Sequence, residues 1–210
     1  MRTRVKICGF TCAENARSAA FMGIDAIGLV FYPPSSRHVD IDAAIKIVAG
    51  LPAFVSVVGL FVDADETSIR DVLKHVAIDC IQFHGDETAE ACRIYGKPYI
   101  KAVRIRNDSC LDQVCKDYFD ASGLLLDAYD PGAKGGTGNC FDWDLIPEQC
   151  DLPLILAGGL DVSNARQAIL QVRPYALDVS SGVELKKGIK DTAKMAAFLS
   201  EINEADRLLR

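Results

Sequence analysis

Missing from this 210-residue chain is any apolar run of the roughly 18 residues that a membrane-crossing helix requires, so no membrane span is expected. Its start, MRTRVKICGF, has neither the apolar region nor the small-residue cleavage site of a secretory leader, and a cytoplasmic location is the expectation. Positive charge is not in surplus: 23 Lys and Arg stand against 29 Asp and Glu, a formal net charge of −6. That balance argues against a nucleic-acid partner, because phosphate backbones are held by clustered cations, and it makes any basic site local. The chain also lacks CxxC spacing. Cys8 and Cys12 are four apart, Cys110 and Cys115 five apart, and neither pair has the histidine spacing of a zinc site. The other cysteines are scattered through apparently regular segments, so reduced thiols are expected rather than a disulfide scaffold, and no metal.

What is present suits one globular unit. Half of the residues are hydrophobic and a quarter are charged, enough for one substantial core, and no Pro/Gly/Ser-rich linker or charge block divides the chain. The expectation is a single domain over residues 1–210. Short apolar runs alternate with amphipathic segments throughout. Eight strands are predicted over residues 5–8, 26–30, 55–61, 80–82, 99–103, 123–127, 154–156 and 176–179. Helical patterns lie between them at 13–22, 42–49, 66–75, 87–95, 110–118, 162–171 and 191–203, and the segment after Asp142 looks short. Eight strands with crossovers satisfy the parallel connection rule most simply by closing into a (β/α)₈ TIM barrel, an α/β fold; a doubly wound open sheet is the alternative. The first strand exit reads Cys8-Gly9-Phe10-Thr11, without the GxGxxG of a dinucleotide site.

Barrel chemistry sits at the strand exits. LILAGGL and DVSSGVE, at the seventh and eighth, offer backbone amides to an anion through Gly158, Gly159, Ser181 and Gly182, although each glycine turn taken singly is ordinarily just a turn. The connection DAYDPGAKGGTGNCFDW is rich in glycine for a plain linker. It reads either as a flap closing through Lys134, Gly136, Thr137 and Gly138 or as a solvated loop.

Taken together, VKICGFT, GLVFYPPSSRHV, VGLFVD, IQFHGDE, LLLDAYDPGAKGGTGNCFDW, LILAGGL and DVSSGVELKKGIKD resemble the phosphoribosylanthranilate isomerase family in order and spacing along nearly the whole chain. The initiating Met before the first strand fits a stand-alone form. The resemblance implies an Amadori rearrangement of N-(5′-phosphoribosyl)anthranilate in tryptophan biosynthesis, with no metal or coenzyme and a phosphorylated small molecule as partner, in a monomer or homodimer. It implies Cys8 as general base and Asp127 as general acid, Arg37 on the anthranilate carboxylate, and the last two strand loops on the phosphate, with Asp178 also among the substrate-binding residues. Ser36 and Lys187 stand where proline is frequent in the family, which bears on loop stiffness.

The chemistry agrees. An acid must protonate the furanose oxygen so that the ring opens to an iminium, and a carboxyl in that role has to stay partly protonated near neutrality. A thiolate can then take the C2′ proton once its pKa, about 8.5 when free, falls toward neutrality, although a strand cysteine is ordinarily a small buried hydrophobe. Arg37 offers a planar fork suited to a carboxylate; its alternative is an ordinary surface arginine. If Cys8 points into the barrel mouth, Lys6 points the same way and deeper. Asp178 on the neighbouring eighth strand is its expected partner, and the cation should lower the Cys8 pKa. His84 and Arg104, also at strand exits, are left outside catalysis. Rival readings are an indole-glycerol-phosphate synthase, which needs a lysine acid, a pentulose-phosphate epimerase, which needs a metal cluster, and a barrel that only binds phosphosugars.

Overall fold

The computed structural model describes residues 2–105, 111–128, 143, 146 and 151–210. Eight parallel strands, β1 (Arg4–Cys8), β2 (Ala26–Val30), β3 (Ser56–Phe61), β4 (Cys80–Phe83), β5 (Tyr99–Ile105), β6 (Gly123–Ala128), β7 (Leu154–Leu156) and β8 (Ala176–Val179), hydrogen-bond in chain order and close β8 onto β1. Between them run α1 (Ala13–Phe21), α2 (Ile41–Ala49), α3 (Glu66–His75), α4 (Ala89–Arg93), α5 (Leu111–Asp117) and α6 (Ala165–Val172), and α7 (Thr192–Leu208) ends the chain. The closed barrel, and not the open sheet, is the fold. The segment after Asp142, the connection holding Lys134, Gly136, Thr137 and Gly138, and Cys110, Cys140 and Cys150 lie outside the described residues. No helix among the described residues is long and apolar enough to cross a membrane.

Period-two alternation sorts the side chains into two layers. Val5, Ile7, Ile27, Leu29, Val57 and Phe61 face outward, into one core with Ala16, Ala19, Ile47, Ile69 and Phe198 of the helices. Ile100, Ala102, Leu125, Ile155, Ala157 and Ala176 fill the barrel interior. Helix starts follow acidic caps: Asp40 accepts from Ala43 N at 2.8 Å, Asp65 from Ser68 N at 2.8 Å, and Asp191 from Ala193 N at 2.9 Å.

Two departures from the predicted elements have local causes. The fourth helix is shorter than the predicted 87–95, because the Glu87 carboxylate instead accepts from the amides of Asp63 and Gly85 and from buried Lys101 Nζ, each at 2.9 Å or less through one of its oxygens. Thr88 then becomes the cap. After β8 the chain forms an unpredicted antiparallel hairpin, β9 (Glu184–Lys186) and β10 (Ile189–Lys190), turning at Lys187-Gly188 with Gly188 at φ +81°. Only residues tolerant of the left-handed region make such a turn without strain.

Candidate active site

Polar side chains at the C-terminal ends of the strands converge with Val30, Leu60 and Leu125 on one cavity. Its lining includes Cys8, Arg37, Gln82, His84, Asp127, Gly158, Gly159, Asp178, Ser180 and Ser181. Of the residues given a catalytic or substrate-binding role from the sequence, Cys8, Arg37, Asp127, Gly158, Gly159, Asp178 and Ser181 line the cavity, whereas Gly182 has a different place. A Cβ on Gly182 would come within 2.9 Å of Asp161 Cα, and a parallel bridge joins the two residues. Gly182 therefore lets the loop after β8 lie against the loop after β7. The latter turns through Gly158 at φ +77° and Gly159 at φ +66°, with Asn164 Nδ2 donating to Gly159 O at 2.9 Å.

Lys6 and Asp178 meet as the alternation argument expects. They are register partners across the β1–β8 seam, and Lys6 Nζ lies 2.8 Å from Asp178 Oδ2, both side chains buried. Burial by itself lowers the Lys6 pKa, but Asp178 and Cys8 outweigh it and hold the ammonium above its ordinary value. The expected lowering of the Cys8 pKa does not win. Burial pushes the thiol above its ordinary value, with Lys6 and Lys190 opposing. A charged form buried in an apolar wall loses more solvation than two nearby cations restore.

Cys8 also depends on what its neighbour lacks. Gly28 is its register partner on β2, and a Cβ there would stand 2.6 Å from Cys8 Sγ and 3.0 Å from Cys8 Cα. Gly28→Ala is expected to push the thiol aside and lower kcat/KM by about 100-fold with a folded barrel, since a displacement of about 1 Å at a reacting group has that scale of effect. Steady-state kinetics beside a thermal melt checks this; unchanged kcat/KM would show that the thiol position does not matter.

Three functional-looking contacts escaped the sequence reading. His84 Nε2 lies 3.1 Å from Asp127 Oδ2, and Gln82 Nε2 lies 2.9 Å from His84 Nδ1. With the Gln82 amide donating to Nδ1, the ring proton sits on Nε2 and is donated to Asp127. The signal was available: His84 stands two positions after Gln82, directly past the end of β4, and so continues the same face. Arg104, by contrast, reaches the backbone, with Nη2 3.3 Å from His84 O. Third, Arg37 is already held: Nε donates to Glu184 Oε1 at 2.7 Å and Nη2 to Glu184 Oε2 at 2.8 Å. Those bonds raise the Arg37 pKa. Its aliphatic stem crosses Gly9, where a Cβ would lie 2.5 Å from Arg37 Cδ.

Comparison with known proteins identifies the family. Residues 5–201 match the family model described as N-(5′-phosphoribosyl)anthranilate (PRA) isomerase. The chain is 54% identical over 200 residues to the N-(5′-phosphoribosyl)anthranilate isomerase of Pseudomonas savastanoi pv. phaseolicola, covering 95% of this chain and 97% of the relative. It superposes on the crystal structure of phosphoribosyl anthranilate isomerase from Thermotoga maritima with a TM-score of 0.88 at 39% identity, covering 96% of this chain and 99% of the other. A crystal structure of the isomerase in complex with reduced 1-(o-carboxyphenylamino)-1-deoxyribulose 5-phosphate superposes with a TM-score of 0.85 at 38% identity, with 96% and 99% covered. A closed barrel matched along nearly its whole length by sequence and by structure leaves one assignment: this chain belongs to the phosphoribosylanthranilate isomerase family.

Proposed function

We propose that the chain isomerises N-(5′-phosphoribosyl)anthranilate to 1-(2-carboxyphenylamino)-1-deoxyribulose 5-phosphate, a step of tryptophan biosynthesis, with Asp127 as acid and Cys8 as base. One observation carries the reading: Cys8, Asp127, Arg37 and the Gly158, Gly159 and Ser181 backbone line the same cavity. Asp127 gives its proton to the furanose oxygen as the C1′–O bond breaks and the nitrogen lone pair forms the iminium. His84 occupies Asp127 Oδ2 and leaves Oδ1 to carry that proton. The iminium acidifies C2′–H, the Cys8 thiolate removes the proton, and the enolamine takes up a proton at C1′ as its hydroxyl becomes the ketone. The cationic intermediate is its own electron sink, so the chemistry asks no coenzyme to supply one.

Binding is divided between two ends. The glycine turn after β7, through Gly158 and Gly159, and Ser181 in the loop after β8 take the phosphate through backbone amides, and Gly182 serves that site by letting the two loops meet. Arg37 takes the anthranilate carboxylate, and Asp178 holds Lys6 beside the thiol and faces the ribose. The same reading treats residues 1–210 as one domain, in the cytoplasm, as a monomer or homodimer.

The test is direct turnover, followed as loss of phosphoribosylanthranilate fluorescence; a purified chain without turnover refutes the proposal. Arg37→Ala is expected to raise KM by about 10- to 100-fold with a smaller change in kcat, the scale of a lost charge-assisted bond. An unaltered KM, where KM reports binding, removes Arg37 from that role.

A further inference from the structure

The Arg37 contact presents an electrostatic problem. A bidentate carboxylate neutralises a guanidinium, and a substrate carboxylate approaching an arginine already paired to Glu184 would meet a neutral pair with its own like charge behind it. The structure holds a second cation at this place. Lys190 Nζ lies 2.9 Å from Glu184 Oε1 and 3.0 Å from Ser180 O, with its side chain 0% exposed. Glu184 is also buried, and its pKa is drawn down by Arg37 and Lys190 against the opposing effect of burial. Two cations therefore share one anion.

The hairpin makes this possible. Glu184 and Lys190 are cross-strand partners, and a register shift between Ile189 and Lys190 redirects the second strand. The hairpin is tied down on several sides: Lys194 Nζ donates to Glu184 O at 2.8 Å, Lys190 N to Asn15 Oδ1 at 3.0 Å and Thr11 Oγ1 to Gly188 O at 2.6 Å. The two Glu184 bonds use Nε and Nη2 of Arg37 and fix the guanidinium plane, leaving Nη1 outside the pair.

We infer that Glu184 and Lys190 are positioning residues for recognition of the substrate carboxylate: Glu184 orients Arg37, and Lys190 keeps the group cationic by preventing Glu184 from cancelling it. This rests on the reading of Arg37 as the carboxylate-binding residue. A purely structural triad would serve equally any ligand of the cavity, whereas this one discriminates by the carboxylate.

The experiment compares kcat/KM for N-(5′-phosphoribosyl)anthranilate and for N-(5′-phosphoribosyl)aniline, which lacks the carboxylate, in wild type, Arg37→Ala, Glu184→Gln and Lys190→Met. The ratio between the two substrates cancels effects on folding and on Cys8, which Lys190 also influences. Glutamine cannot accept from both arms of the Arg37 fork, and methionine fills the lysine's space without its charge. Each variant is expected to reduce the ratio by about tenfold or more, the scale of a charged hydrogen bond. If Arg37→Ala reduces the ratio and either Glu184→Gln or Lys190→Met leaves it at the wild-type value, the inference is overturned while the Arg37 reading stands. If Arg37→Ala itself leaves the ratio unchanged, it is that reading which fails, and the inference with it. Circular dichroism on each variant accompanies the kinetics.

Discussion

Replacing Cys8 by alanine is expected to lower kcat by roughly 10³- to 10⁴-fold, the upper part of the range for removing a general base, while the barrel stays folded. The small volume change at a site bordering a cavity explains the second half of that expectation: Cys8 belongs to a small cluster with Val30, Leu60 and Val62 at the barrel mouth, separate from the main core. Cys8→Ser tests the base more narrowly, because a hydroxyl fits the same space and does not ionise in the accessible pH range. Undiminished turnover in either variant would remove Cys8 from the mechanism.

The sign of the pH dependence follows from the same residue. Only the thiolate accepts a proton, and burial lifts the thiol pKa, so kcat/KM is expected to rise with pH along its acid limb. The charges facing Cys8 are Lys6 on its own strand, Asp178 on β8, Lys190 on β10 and Arg37 on the loop after β2. Lys6 is the strongest of those favouring the thiolate. Lys6→Met should therefore move the limb to higher pH, and a limb that stays in place would show that Cys8 does not set it.

Asp127→Asn is expected to cost about 10³-fold in kcat, since the amide is isosteric and can still accept from His84 but has no acidic proton for the ring oxygen. Ring opening should then be the step that fails. A reduced analogue of the product, which needs no proton transfer, should bind this variant nearly as well as wild type, and calorimetric titration reads that directly. Loss of analogue binding together with turnover would make Asp127 a binding residue, and full turnover would exclude it as the acid.

Much of this arrangement was legible before any coordinates. Strands 26–30, 154–156 and 176–179 have the predicted limits, because apolar β-rich runs bounded by turn residues are a local signal. The inward direction of Lys6 and Cys8 followed from alternation along one strand, and the partner of Lys6 followed from barrel closure, which makes the first and last strands neighbours. Other features were not legible. Glu184 and Lys190 sit in DVSSGVELKKGIKD, a motif that carries the family resemblance without assigning either side chain a role, and the bulge that redirects one strand of the hairpin has no strong sequence mark. Glu87 has the look of a helical residue, yet amides from two loops and Lys101 compete for its carboxylate and win.

The sequence by itself determined the alternation of strand and helix, the inward face of each strand and the residue types offered at the barrel mouth, since these depend on neighbours a few positions away. Only the tertiary structure decided which charge meets which. The pairing of Arg37 with Glu184, of His84 with Asp127, and the need for a bare Gly28 beside Cys8 join residues 20 to 147 positions apart. Such contacts are set by the register of a closed sheet, and local periodicity does not encode that register.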